Sequence, residues 1–367
     1  MFFSSKISGL SEADINQLKA YIGELLGLEN HSDLTLSQNT EKTCLVRLPF
    51  VADSIWTSVA EKASEFVQHT FAHSIRFERE YNVPIFEAKQ NHVKNVKNII
   101  AVASGKGGVG KSASALNLAI ALQLEGARVG ILDADIYGPS IPIMLGTQNQ
   151  RPESPDNKIM QPIVAHGLAS NSIGYLVQND HASIWRGPMA SKALSQLLKE
   201  TAWPMLDYLI VDMPPGTGDI QLTMCQQLPL TAAVVVTTPQ DIALSDAAKG
   251  IAMFEKLAVP VLGIIENMSY FECGNCHHKT AIFSEKGALG LSEKYALPLL
   301  AQVPLNPIIR EYADSGKSLL HEQVQHDISV IYRQCAIDLS RQLCESVKLS
   351  AMASKLAGSI QVTQLDA

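Results

Sequence analysis

Cysteine is scarce in this chain: six in 367 residues, at positions 44, 225, 273, 276, 335 and 344. So few, so irregularly spaced, exclude the disulfide framework of a small secreted domain. No stretch approaches ~18 uninterrupted apolar residues, so no membrane-crossing helix is expected. The opening segment, MFFSSKISGLSEADINQ, lacks the continuous apolar core of a signal peptide. Positive charge is also in deficit, 29 Lys+Arg against 36 Asp+Glu, for a net charge of −7. Binding along a nucleic-acid backbone needs a clustered basic surface, which this balance does not supply. Internal repeats and low-complexity tracts are absent too. The expectation is a cytoplasmic chain with reduced thiols and with neither nucleic acid nor membrane among its partners.

Hydrophobic residues, at 46%, suffice for a sizeable core, and the length suggests two domains. Residues 1–85 read as a small α/β module. Its expected parts are a helix over 11–28 capped by Ser11 with Asp14 three residues on, a strand over 43–48, a helix from Asp53 to Phe71 and a strand over 73–80. Residues 86–97 are rich in lysine and asparagine, without apolar periodicity, and read as a linker. Over 98–346 short apolar runs alternate with helical patterns: 99–104, 128–135, 207–214, 232–239, 259–267 and 297–304. Continuous apolar strands between helices predict an α/β fold, a mostly parallel sheet flanked by helices. A closing helix over 325–346 and a polar tail over 347–367 complete the reading.

The first of these runs leads into Gly105-Lys106-Gly107-Gly108-Val109-Gly110-Lys111-Ser112, which fits G-x-x-x-x-G-K-[ST], and a helical pattern follows at once. The glycines let the backbone turn its N–H groups toward phosphates, and the next helix aims its positive end at them. Lys111 supplies charge to the β- and γ-phosphates of ATP, and the Ser112 hydroxyl reaches Mg²⁺. The domain is therefore expected to be a P-loop NTPase. Two further strands end in carboxylates. RVGIL runs into Asp133-Ala134-Asp135, and DYLIV runs into Asp212-Met213-Pro214-Pro215-Gly216-Thr217-Gly218-Asp219. Asp212 fits the strand-end aspartate that holds Mg²⁺. Asp135 is the candidate for ordering the attacking water and Asp133 for the Mg²⁺ shell, with capping of the next turn as the alternative for either. Asp219 is equally a candidate helix cap. Asn267 and Pro304 stand at the ends of the last two apolar runs, where a strand-end Asn is also a common turn former.

With its additional, early lysine, Lys106, GKGGVGKS resembles the deviant loop of the MinD/ParA-like ATPases, which include the nitrogenase iron protein. That resemblance implies a lysine that reaches the nucleotide of a facing subunit, so that ATP closes a dimer. Farther on, Cys273-Gly274-Asn275-Cys276 is a C-x₂-C pair on a turn, able to aim two thiolates at one metal. Two ligands do not finish a four-coordinate site, and a symmetric dimer would supply the pair twice. Zinc, with help from His277 or His278, a dithiol redox pair and inert structural thiols are the alternatives. The other four cysteines fit apolar patterns and read as small core hydrophobes.

Taken together, GKGGVGKS, LDADIYGPSIP, NSIGYL, WRGPM, DYLIVDMPPGTGDIQLT, TTPQDIAL and IENMS followed by CGNC resemble the bacterial Mrp/ApbC-type iron–sulfur cluster carriers, from about Asn98 to about Arg341. The resemblance implies a homodimer that binds and slowly hydrolyses ATP, with Asn267 and Pro304 as the candidates to contact adenine. It implies a [4Fe–4S] cluster held by Cys273 and Cys276 of both chains, received from a cluster-donating scaffold and delivered to apo iron–sulfur proteins. The first module is similar in position and size to the MIP18-type domain that precedes many bacterial members, although GLENHSDLT replaces its usual acidic turn. A rival reading is a spatial-organiser ATPase, which needs a basic amphipathic C-terminal helix; the basic residues of the final segment are scattered instead. A zinc-stapled ATPase without cluster transfer is a second rival.

Overall fold

The computed structural model describes residues 7, 9–28, 31–40, 42–85, 93–176, 187–285 and 287–359. Most of the expected linker, Trp185 and Arg186 of the WRGPM motif and the last residues of the expected tail lie outside them. The chain divides into two units, Met1–Pro84 and Ile85–Ala367.

In the first unit, helix α1 (Glu12–Leu25) starts on a reciprocal cap. The Asp14 N–H donates to Ser11 Oγ at 3.2 Å, and the Ser11 N–H donates to Asp14 Oδ2 at 2.9 Å. Its buried Ile15, Leu18 and Ile22 recur at helical spacing. Strands β1 (Thr35–Thr40) and β2 (Thr43–Leu48) pair antiparallel, and helix α2 (Asp53–Phe71) carries the chain over to β3 (Arg76–Tyr81), parallel to β2. β1 was not expected: TLSQNT is polar, and Leu36 is its one buried side chain.

The second unit begins with β4 (Val96–Ala103), α3 (Lys111–Leu124), β5 (Val129–Asp133), α4 (Ile141–Met144), β6 (Ile163–Ala165), β7 (Leu168–Ser172) and α5 (Gly187–Lys199). It continues with β8 (Leu206–Asp212), α6 (Asp219–Gln227), β9 (Ala232–Thr237), α7 (Asp241–Lys256), β10 (Val261–Asn267), β11 (Phe271–Glu272) and β12 (Lys279–Thr280). It closes with α8 (Leu289–Tyr295), β13 (Leu299–Val303), α9 (Pro307–Asp314), α10 (Leu319–Glu322) and α11 (Asp327–Ser359). Eight strands form one sheet in the order β13-β10-β9-β4-β8-β5-β7-β6. All pairs are parallel except β6–β7. Every residue of β8 and β9 is buried, as befits strands covered on both faces.

The six expected apolar runs are β4, β5, β8, β9, β10 and β13. From β4 the chain leaves through α3 toward β5, and after β8 it crosses to β9 on the other side, so ligand-binding loops gather where the strand order reverses. Helix α11 runs into the segment read as a polar tail, so the closing helix is longer than expected.

Candidate functional site

The phosphate loop joins β4 to α3. Gly108 and Gly110 have φ of 81° and 79°, the left-handed region where glycine is unstrained. A Cβ on Gly108 would meet nothing within 4 Å, whereas one on Gly105 would lie 2.2 Å from the Asp246 backbone. The loop is thus pressed on α7 at its start and open at its middle. Lys106 Nζ donates to Gln240 Oε1 at 3.1 Å, at the start of α7. Lys111, the first residue of α3, is buried, and its Nζ donates to Asp212 Oδ1 at 2.5 Å and to Ser112 Oγ at 3.2 Å, with Asp135 Oδ2 at 3.7 Å.

Two of the three expected carboxylates, Asp212 and Asp135, therefore meet one lysine, with Asp133 beside Asp212 on the next strand, and their surroundings differ. Asp133 and Asp212 face each other across the β5–β8 pairing. Both Asp133 oxygens accept hydrogen bonds, Oδ1 from the Asp135 N–H at 3.1 Å and Oδ2 from the Ile141 N–H at 3.2 Å and Ser172 Oγ at 3.0 Å. The side chain thus fastens the 133–141 turn. Burial first, and then the charge of Asp212, push its carboxyl above the usual range. Burial likewise raises Asp212 against the pull of Lys111. Asp212 Oδ2 is buried without a hydrogen-bond partner, which marks it as the oxygen left for another ligand. Asp135, raised chiefly by burial, lines a 690 Å³ cleft with Tyr137, Pro214, Pro215, Gly218 and Gln221.

Gln221 was not singled out in the sequence. It is buried on α6 with an unpartnered Oε1 at this cleft, and no spacing rule distinguishes it from any helical glutamine. Asn267 lies at the end of β10, where its Nδ2 donates to the Val109 carbonyl of the phosphate loop at 2.9 Å. Pro304 is buried just beyond β13.

The cysteine pair sits on a hairpin after β10, made by β11 and β12. The His277 N–H donates to the Cys273 carbonyl at 2.9 Å and the Cys273 N–H to the His278 carbonyl at 3.1 Å, which closes the turn. Cys273 is half-buried and Cys276 exposed. Backbone N–H groups of Asn275 and Cys276 point at the Cys273 sulfur and hold its thiol below the ordinary value. His277 Nδ1 lies 3.0 Å from Glu272 Oε1. Among the described residues no three His, Cys, Asp or Glu side chains gather into a group able to hold a metal. Cys44, Cys225, Cys335 and Cys344 are all buried, and burial alone pushes the Cys225 thiol up to about 12.

A strand–loop–helix phosphate cradle beside a strand-end carboxylate, at the crossover of a parallel sheet, defines a P-loop nucleoside triphosphatase. The family model described as ParA, NUBPL iron-transfer P-loop NTPase, matches residues 95–340, and the chain belongs to that family. The "Iron-sulfur cluster carrier protein" of Escherichia coli K12 is 57% identical over 299 residues, 81% of either chain. The mouse "Iron-sulfur cluster transfer protein NUBPL" is 47% identical over 260 residues, 70% of this chain and 81% of its own. Among solved structures, a nucleotide-binding protein of Archaeoglobus fulgidus in complex with ADP superposes with a TM-score of 0.56 at 36% identity, covering 64% of this chain and 91% of its own. No helix among the described residues is long and apolar enough to cross a membrane.

Proposed function

We propose that this chain is an ATP-dependent iron–sulfur cluster carrier that works as a homodimer in the cytoplasm. ATP lies on the phosphate loop 105–112, where Lys111 turns from Asp212 to the β- and γ-phosphates. The orphaned Asp212 Oδ2 and the adjacent Ser112 hydroxyl are hard oxygen donors suited to Mg²⁺, which when bound neutralises phosphate charge. Asp133 keeps the 133–141 turn in place behind them. Asp135, in the cleft, orders the water that attacks the γ-phosphate, and ADP and phosphate are the products. Lys106 leaves Gln240 to reach the nucleotide of the facing subunit. Asn267 and Pro304 are assigned to the adenine side. Turnover is low, because hydrolysis serves a change of state.

The cargo is a [4Fe–4S] cluster held by Cys273 and Cys276 of both subunits, taken from a donating scaffold and passed to apo iron–sulfur proteins.

The observation that carries this reading is the hairpin itself, which presents two thiols at the surface with no third metal-binding side chain gathered beside them among the described residues. Two ligands from each of two chains make the four such a cluster needs. Anaerobic reconstitution with iron and sulfide tests it. The native chain takes up about four iron and four sulfide per dimer with broad visible absorption, and the Cys273→Ala/Cys276→Ala chain takes up none while still hydrolysing ATP. A native chain that stays colourless, or binds only zinc, overturns the proposal.

A further inference from the structure

Two neighbouring residues at the end of β10 face different neighbours, as alternation along a strand requires. Asn267 belongs to the phosphate loop. Its Nδ2 donates to the Val109 carbonyl at 2.9 Å, and a Cβ on Gly110 would lie 2.1 Å from the same nitrogen. The strand end and the loop are thus in direct contact, so a displacement of either at Val109–Gly110 meets the other.

Glu266 belongs to the cysteine hairpin. It is 2% exposed. Its Oε1 accepts from Ser269 Oγ at 2.6 Å and from Gln302 Nε2 of β13 at 3.0 Å, and its Oε2 accepts from the Ala288 N–H. Ser269 and Ala288 bracket the segment that contains β11, Cys273, Cys276 and β12. One carboxylate therefore ties both ends of that segment to two strands of the sheet. Gly287 makes the closure possible, since a Cβ there would stand 1.9 Å from Glu266 Oε2. From Phe271 to Glu285 no described residue is buried, so the hairpin has no core of its own to orient it. Its position is set at its base.

We propose that Glu266 and Asn267 form the link through which the state of the phosphate loop reaches the two thiols, with Glu266 acting as a positioning residue for Cys273 and Cys276. This deepens the carrier reading and rests on it for purpose, but its test needs no cluster. Nucleotide at the loop shifts Val109, Asn267 follows, and Glu266 carries the shift into both ends of the hairpin segment. A glutamine at 266 would break the relay. Three donors converge on the carboxylate, and a carboxamide would set its own N–H₂ against at least one of them.

The experiment uses the full-length, reduced, metal-free chain and reads the rate of iodoacetamide alkylation at Cys273 and Cys276 with and without ATP and Mg²⁺. In the native chain nucleotide changes the rate about fivefold or more. In Glu266→Gln the ratio of the two rates falls to near one, with nucleotide affinity measured alongside. Ser269→Ala, which keeps the Glu266 side chain and removes one of its donors, gives an intermediate ratio and carries the test if Glu266→Gln does not fold. A purely structural role would change both rates together and leave their ratio at the native value, which overturns the link. So does a native chain whose thiols react equally in both conditions. Failure of cluster reconstitution would instead overturn the carrier reading and leave the ratio untouched.

Discussion

The phosphate loop and the cysteine hairpin follow strands of the same parallel sheet, and they differ in how much of a site one chain supplies. Around the loop, charges are buried and mostly partnered: Lys111 meets Asp212 and Asp135, Asp133 is fastened by two N–H groups and a hydroxyl, and Asp212 Oδ2 alone of these carboxylate oxygens is orphaned. At the hairpin, two sulfurs stand on an exposed turn whose base alone is anchored. Buried polar groups need partners in place, because leaving one unpaired costs ~1–3 kcal/mol, whereas an exposed thiol is solvated and can wait for its ligand. On the proposed carrier reading, the nucleotide site is therefore mostly pre-formed and the cargo site is left half-built.

The comparison breaks most sharply at Lys111. Lys111→Ala removes the partner of a buried carboxylate and, on the proposed role, the positive charge that meets the phosphates. Steady-state hydrolysis is expected to fall ~10³-fold, with a stability loss on the order of 3 kcal/mol in urea unfolding. Retained hydrolysis would mean that the loop is not the catalytic cradle. Lys106→Ala is milder, because its side chain is half-buried and meets Gln240 rather than a charge. Hydrolysis is expected to fall ~10²-fold with little change in monomer stability, and sedimentation should show that ATP no longer favours dimers. Unchanged hydrolysis and dimerisation would remove the crossing role.

Much of this was legible in the sequence, for physical reasons. Strands buried on both faces must be apolar throughout, so β8 and β9 announce themselves. The loop reads from its spacing because phosphate binding fixes where glycine, lysine and serine stand. β7 escaped because LASNS is polar, although every one of its residues is buried. Its side chains bond instead to Ile163, Thr201 and Asp133, partners that no local pattern reveals. Gln240 and Glu266 escaped for the same reason: Lys106 and Gln240 are 134 residues apart. The roles of Asp133 and Asn267 also needed geometry, since a strand-end carboxylate or amide reads alike whether it faces a ligand or the backbone.

A smaller effect is expected toward the opposite end of the strands, near the start of β8. Burial pushes the Asp207 carboxyl up, but hydrogen bonds from Arg128 and Lys97 outweigh it and hold the group at about 2. A depressed carboxylate stabilises the fold above its unfolded value of about 4, and that contribution is lost as pH falls from there through about 2. Urea midpoints taken from pH 5 down to 2 should show that loss in the native chain. Arg128→Leu should flatten it, at a cost of ~1–2 kcal/mol near neutrality, and leave hydrolysis and iron uptake unchanged.

The smallest expected effect is at His277, and it sharpens the contrast most cheaply. The side chain is 77% exposed and lies against Glu272, an arrangement worth under ~0.5 kcal/mol. Its φ of 56° makes asparagine the suitable replacement, because asparagine tolerates that region. If the hairpin holds metal only through sulfur shared between two chains, His277→Asn leaves iron uptake and thermal midpoint nearly as they were. If one chain instead completes a zinc site with its own histidine, zinc stoichiometry measured by mass spectrometry drops with the substitution. The half-built site would then be a finished one, and the contrast between loop and hairpin would disappear.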